Sequence, residues 1–315
     1  MKLPADYVEF GGRATAPPPF RSTEGSFRGY LLEGDENAIA KLIDRMLTKP
    51  ADGAVAYRPI FGKWVLMQTG AFKKVVSEAP GFEQWGHVEE AQISLWIPVE
   101  AGVVKDGEFD AQRICMAVPF ILVNNPMSYA GGREIYGYPK TMGIFDPESA
   151  TGDPQKVAAF GGDFAPENGA GWHPLFELRR TGNAAAAGQG EHFDDLKDAL
   201  DRLRTGWEGL ADGLPSLEIL KSIFDMLLGK QARQVFLKQF RHESEAGQAC
   251  YSTIIEAPID FLTSHIHPAF EEWEIVIKHL DSHPVDVELG VETQTTSLVF
   301  DVEMDFIADK GEKVA

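Results

Sequence analysis

The chain has 315 residues, 44% hydrophobic and 24% charged, an ordinary globular balance with apolar material for a sizeable core. Its formal charge of −19, with no offsetting Lys/Arg patch, argues against nucleic acid and against an acidic membrane surface, both of which would repel it. Cys115 and Cys250 lie far apart and have no partner at metal-ligand spacing, so neither a disulfide scaffold nor a cysteine zinc site is expected.

The amino terminus lacks the apolar segment of a signal peptide, and no window reaches the length a membrane span needs. A soluble, cytoplasmic protein is the expectation. Residues 1–27 are rich in glycine and proline, and Pro17-Pro18-Pro19 forces extended backbone. They read as a surface arm suited to packing on a neighbouring subunit. Asp35 is placed as the N-cap of a helix carrying Ile39, Leu42, Ile43, Met46 and Leu47 at helical spacing, with Pro50 beyond its end. Short strands are predicted at 55–57 and 64–69. A clearer strand at 91–99 points Gln92, Ser94 and Trp96 one way and Ala91, Ile93, Leu95 and Ile97 the other. A turn over 102–110 joins it to a second long strand at 113–123, in whose apolar run Cys115 reads as a small core residue. Asn125-Pro126 reads as a cap with proline in the first turn of a short helix.

Strands are then predicted at 157–160 and 175–180, a low-complexity loop at 183–190, and helices at 194–203 and 217–228. Further strands follow at 235–240, 251–256, 259–265, 274–278, 285–289 and 298–307. Many strands with few helices imply a mainly β (α+β) protein built on a barrel or paired sheets. His265 and His267 share a strand face, but no tight third ligand accompanies them, and no metal centre is expected. Neither a dinucleotide fingerprint nor a Gly-x-Ser-x-Gly elbow is present.

Between these elements lies the stretch 131–143, Gly-Gly-Arg-Glu-Ile-Tyr-Gly-Tyr-Pro-Lys-Thr-Met-Gly. Its lysine, Lys140, is set among Tyr136, Tyr138, Met142, Ile144 and Phe145. The commoner reading of such a residue is a stem that covers apolar surface while its head stays wet. The other is a desolvated amine, because burial disfavours the ammonium and a neutral lysine attacks carbonyls. Arg133-Glu134, then Tyr138-Pro139-Lys140 and Gly143, resemble the signature of the acetoacetate decarboxylase family, in which this lysine forms the Schiff base. The similarity extends to Ile97-Pro98-Val99 and Asn124-Asn125-Pro126 upstream, and to Ala257-Pro258-Ile259 and Pro284-Val285 within a similar stretch from Cys250 to Asp309.

The resemblance implies one domain over 1–315, a closed, cone-like antiparallel β-barrel with peripheral helices, the lysine at its centre and a helical insertion at 191–232. It also implies a lyase without cofactor, several subunits, and a small oxo acid such as pyruvate or acetoacetate as substrate, with an aldehyde as partner in one branch. An unperturbed lysine titrates near roughly 10.4, so a free amine at neutral pH needs on the order of 5 kcal/mol of bias against its charge. The family's decarboxylases carry a second lysine next in sequence. Here that residue is Thr141, which leaves desolvation by Tyr136, Tyr138 and Met142, with Arg133 as a further source of positive potential.

The family's active-site glutamate falls on Gln92, which cannot trade a proton near neutral pH. Glu90 shares its strand face, and a shifted alignment would put Glu90 in that role. Tyr251 is the candidate donor from the carboxy-terminal strands, or else an ordinary barrel aromatic. Arg28 is the nearest match to the family's amino-terminal arginine. Arg133 and Glu134 are expected to ion-pair and position the lysine. Without the second lysine and the glutamate, the chain resembles the aldolase-dehydratase branch more than a true decarboxylase. The alternatives are decarboxylation with Glu90 as the acid, and a barrel that binds a small acid without catalysis.

Overall fold

The computed structural model describes residues 7–8, 14–182, 231–269 and 271–315. Strand β1 (Phe20–Glu33) begins inside the stretch expected to be a surface arm. Phe27, assigned to that arm, is core at 1% exposure, because β1 is clamped between two antiparallel neighbours. Helix α1 (Glu36–Ile43) starts as its sequence requires: Asp35 Oδ1 accepts from the Ala38 amide at 2.7 Å, and Ile39, Leu42 and Ile43 are buried. Asp35→Ala should cost about 1 kcal/mol, read as a lower denaturation midpoint at unchanged slope.

Strands β2 (Ala56–Pro59), β3 (Trp64–Ser77), β4 (Val88–Lys105) and β5 (Glu108–Val123) follow, the last two as a hairpin. Its turn is tighter than the expected 102–110. Asp106 and Gly107 both take positive φ, 53° and 85°, which suits a two-residue connection between twisted strands. Helix α2 (Pro126–Gly131) leads to β6 (Lys140–Asp146), and β7 (Gln155–Gly161) and β8 (Gly171–Arg180) lie beside it. The expected loop at 183–190 and helices of the 191–232 insertion fall outside the described residues, except that Gln231 and Ala232 already belong to β9 (Gln231–Arg241).

Strand β10 (Ala249–Ala269) joins the two strands expected at 251–256 and 259–265. Strand β11 (Trp273–Ile277) comes next. The strand expected at 285–289 is instead helix α3 (Val285–Leu289), with Val285 and Leu289 buried on one face and Gly290 closing it at φ 63°. Strands β12 (Gln294–Thr296), β13 (Val299–Ala308) and β14 (Glu312–Lys313) complete the described chain.

Seven strands close into a barrel in the order β5-β9-β10-β13-β1-β3-β4, with β4 returning to β5. Its pairings are antiparallel, as expected, except at one seam. Met116 and Ala117 of β5 pair in parallel with Gln234 and Val235 of β9, whereas Ile121–Val123 pair in parallel with Lys140–Met142 of β6. The edge of β5 therefore forks, and Lys140 begins its strand at the fork. The second branch, β6-β7-β8-β11-β12, lies against the outside of the barrel. Between them sits the larger core, where Ile93, Leu95 and Ile97 meet Leu175, Leu178, Trp273 and the apolar face of α1. The barrel's inner face keeps a separate apolar lining, and a cavity remains within it.

Candidate active site

The path into Lys140 is fixed by local chemistry. Asn125 Oδ1 accepts from the amides of Met127 at 2.9 Å and Ser128 at 3.2 Å, and Pro126 occupies the first turn of α2. The helix continues into a wider π turn, Gly132–Tyr136, closed by Gly137 in the left-handed region at φ 90°. A Cβ at 137 would lie 2.6 Å from Lys238 Cα, so this turn requires glycine. Tyr138-Pro139 then brings the chain to β6 with Lys140 facing the barrel cavity.

Lys140 is 8% exposed. Its Nζ donates to Glu90 Oε1 at 3.0 Å and to Ser128 Oγ at 2.6 Å, and Ser128 Oγ in turn donates to Glu90 Oε2. The amine, hydroxyl and carboxylate thus form a closed triangle. Glu90 is itself 5% exposed. The pair can carry its shared proton on nitrogen or on oxygen at the same net charge. This modifies the expectation of a lysine activated by desolvation alone: the dry surroundings are there, but a carboxylate shares them.

Tyr138 lies with its ring centre 5.3 Å from Nζ and packs on Phe236 at 4.0 Å. Burial pushes its phenol well above the ordinary range, so it remains a donor, and Gln234 Oε1 accepts from it. Arg133 Nη1 donates to the Lys140 carbonyl at 3.0 Å, and its guanidinium stands 5.6 Å from the Tyr129 ring centre. The expected Arg133–Glu134 ion pair does not occur among the described residues. Arg133 turns toward the β6 backbone, whereas Glu134 acts on Lys238, opposing the burial that lowers the pKa of that amine. Thr141 points away from the cavity, as alternation along a strand demands, and its Oγ1 lies 3.0 Å from His283 Nε2. A lysine at 141 would share that outward direction.

Gly132 leaves the room Lys140 needs. A Cβ there would lie 2.8 Å from the lysine Cδ and 3.0 Å from Cε, in a turn whose backbone alanine adopts readily. Gly132→Ala should therefore displace the amine and cut turnover by about 10²-fold, the scale of a roughly 1 Å misplacement. Thermal melting should show a fold at least as stable as the parent; equal activity would mean that the lysine's position is not critical.

Glu90 and Gln92 both line the cavity from the inner face of β4, and it is Glu90 that touches the amine. Two other candidates lie elsewhere. Arg28 is on the outer face of β1, next to inward-facing Gly29. It is paired with Asp301 at 2.6 Å and lies 4.8 Å from the Trp273 ring centre. Tyr251 is 41% exposed at the far end of β10, against Phe240 at 6.1 Å, and does not line the cavity. The strand had been expected to open there, but it begins earlier and those first residues extend past the cavity wall.

Ser128 and Gln234 were not anticipated. The cap at Asn125 fixes where Ser128 stands on its helix, but that this helix covers the lysine is a tertiary fact. Gln234 is placed only by the parallel seam of β9 against β5. Among the described residues, no cluster of three or more metal-ligating side chains occurs, and no helix is long and apolar enough to cross a membrane.

No family model and no curated protein sequence matches the chain. Solved structures do match its fold. An acetoacetate decarboxylase from Legionella pneumophila is 13% identical, covering 99% of this chain and 98% of that one, at a TM-score of 0.54. Another acetoacetate decarboxylase is 13% identical over 95% of this chain and 91% of its own, at 0.53. The enduracididine biosynthesis enzyme MppR, complexed with the condensation product of pyruvate and imidazole 4-carboxaldehyde, is 10% identical over 100% of this chain and 99% of its own, at 0.53. The closed barrel with its added strands is the fold of the acetoacetate decarboxylase-like superfamily, and this chain has it.

Proposed function

We propose that the protein is a lyase in which Lys140 forms a Schiff base with the ketone of an oxo acid. The observation that carries this reading is the buried triangle of Lys140, Glu90 and Ser128 facing the barrel cavity. Transfer of the shared proton to Glu90 frees the nitrogen lone pair, which attacks the carbonyl carbon. The same carboxylic acid, with Ser128 as relay, returns a proton to the carbinolamine oxygen, and water leaves to give the iminium.

Two reactions diverge from that ion. In the first, the Glu90 carboxylate takes a proton from the carbon beside the iminium. The enamine attacks an aldehyde, the alkoxide recovers the proton from Glu90, and loss of water gives an unsaturated product. Gln92, in place of the family's glutamate, supports this aldolase-dehydratase course, since its amide can hold a carboxylate without titrating. In the second, a 3-oxo acid loses carbon dioxide, the bond's electrons pass to the iminium nitrogen, and Glu90, reprotonated from solvent, protonates the enamine carbon. Contact between Glu90 and Lys140 favours this decarboxylation, because it supplies the acid that Gln92 lacks. In either course water then hydrolyses the imine, releasing the product and Lys140.

Borohydride reduction in the presence of pyruvate or acetoacetate, followed by peptide mass spectrometry, tests the reading. A reduced adduct on the peptide containing Lys140 is expected. An absorbing product from pyruvate plus an aldehyde identifies the first course, and carbon dioxide from acetoacetate the second. Absence of any adduct with these acids and with longer-chain oxo acids overturns the enzyme in favour of a non-catalytic acid-binding barrel.

A further inference from the structure

The proton-transfer groups take up one side of the cavity, on β4, α2 and β6. Around the ring of strands, β13 and β1 are as far from β5 as the barrel allows, and the wall they form is hydrocarbon. Phe300, Val302, Met304 and Phe306 of β13 line it, joined by Phe72 of β3 and Phe261 of β10. Phe300 lies against Gly29, where a Cβ would stand 2.4 Å from its Cζ, so the glycine makes space for an aromatic wall. The cavity's volume is about 230 Å³.

Charge is missing from this wall. Among the described lining residues Lys140 is the only lysine or arginine, and the polar exceptions away from it are Ser22, Gln68, Ser77 and His87. Ser77 is already engaged, its Oγ donating to the Pro17 carbonyl at 2.6 Å. Pyruvate would set a single methyl group against this surface. A ligand that fills an apolar cavity gains by the area it removes from water, whereas a small polar one leaves that surface unsatisfied.

We infer that the substrate is an oxo acid bearing a hydrocarbon chain or aromatic ring, its ketone at Lys140 and its apolar part against Phe72, Phe300, Val302, Met304 and Phe306. The covalent step rests on the Schiff-base reading; the apolar subsite does not. The wild-type protein is to be titrated with a series of 2-oxo acids, pyruvate, 2-oxohexanoate and 2-oxooctanoate, each trapped with borohydride. In parallel, calorimetry is to follow propan-2-ol, hexan-2-ol and octan-2-ol, which present the same chains but form no imine.

Half-saturating concentrations should fall about fourfold per added methylene in both series, the equivalent of roughly 0.8 kcal/mol for each methylene buried. Chain-dependent binding of the alcohols with no trapping of any acid leaves the apolar subsite standing and removes the Schiff base. Trapping that is independent of chain length, or best with pyruvate, together with flat alcohol binding, overturns the inference while the Schiff base stands.

Discussion

Lys140→Met should abolish the borohydride-trapped adduct and lower turnover by on the order of 10⁴-fold or more, the scale of losing a nucleophile from groups that act as a unit. Methionine keeps most of the stem that lies against Gly132, so the cavity's shape survives. What is lost is the only described lining amine, and no other group there forms an imine. Stability supplies an independent check. Removing the amine strands Glu90, 5% exposed, without its cationic partner, and breaking a buried pair from one side costs about 3–5 kcal/mol. Adding Glu90→Gln to the same protein removes the stranded charge and should recover most of that loss. Equal denaturation midpoints for the parent and the single variant would mean that the two residues do not interact as the triangle implies. Residual turnover within tenfold of the parent would end the Schiff-base mechanism.

How far the site could be read beforehand depended on whether local rules sufficed. Alternation along β4 placed Glu90 and Gln92 on one face and Ile93 and Leu95 on the other, and this needed nothing but period two. The caps at Asp35 and Asn125 were equally local, because a short polar side chain next to free amides has few other uses there. Arg28 failed on the same rule of alternation: matching it to a family residue ignored that its neighbour Gly29 faces inward. Which of Glu90 and Gln92 meets the amine could not be read from periodicity, since both share the face. Only the helix that carries Ser128 and the fork in β5 decide it.

Two misread elements have physical causes of their own. Val285, Val287 and Leu289 alternate with Asp286 and Glu288, which suits a strand, yet five residues cannot separate period two from an i, i+4 pair. Gly290 was the available signal, since a left-handed glycine ends a helix. The strands expected at 251–256 and 259–265 are one, which runs through Pro258. Its carbonyl accepts from Asp309, which turns its missing N–H toward β13 where that ladder ends at Ile259 and Ala308, so no pairing is lost. The closure of seven strands depends on pairings between residues more than a hundred positions apart, and the parallel seam follows a segment outside the described residues. No local pattern encodes either.

Glu90→Gln separates making the imine from using it. Glutamine preserves the size of the side chain and still accepts from Lys140 and Ser128 through its carbonyl, but it cannot carry a proton. Steps that move a proton to or from carbon should slow by about 10²–10⁴-fold, the contribution of a positioned acid or base. Adduct formation should persist, because the variant also takes away the negative charge that stabilises an ammonium beside it. The decisive measurement is a single turnover with borohydride added at intervals: the imine should accumulate early and decay slowly. If turnover stays at the parental rate, the proton carrier lies elsewhere in the cavity and Glu90 only positions the amine. If the imine no longer forms at any pH, the carboxylate is required to free the nucleophile, as the first step has it, and the separation of imine formation from imine use expected of this variant is wrong.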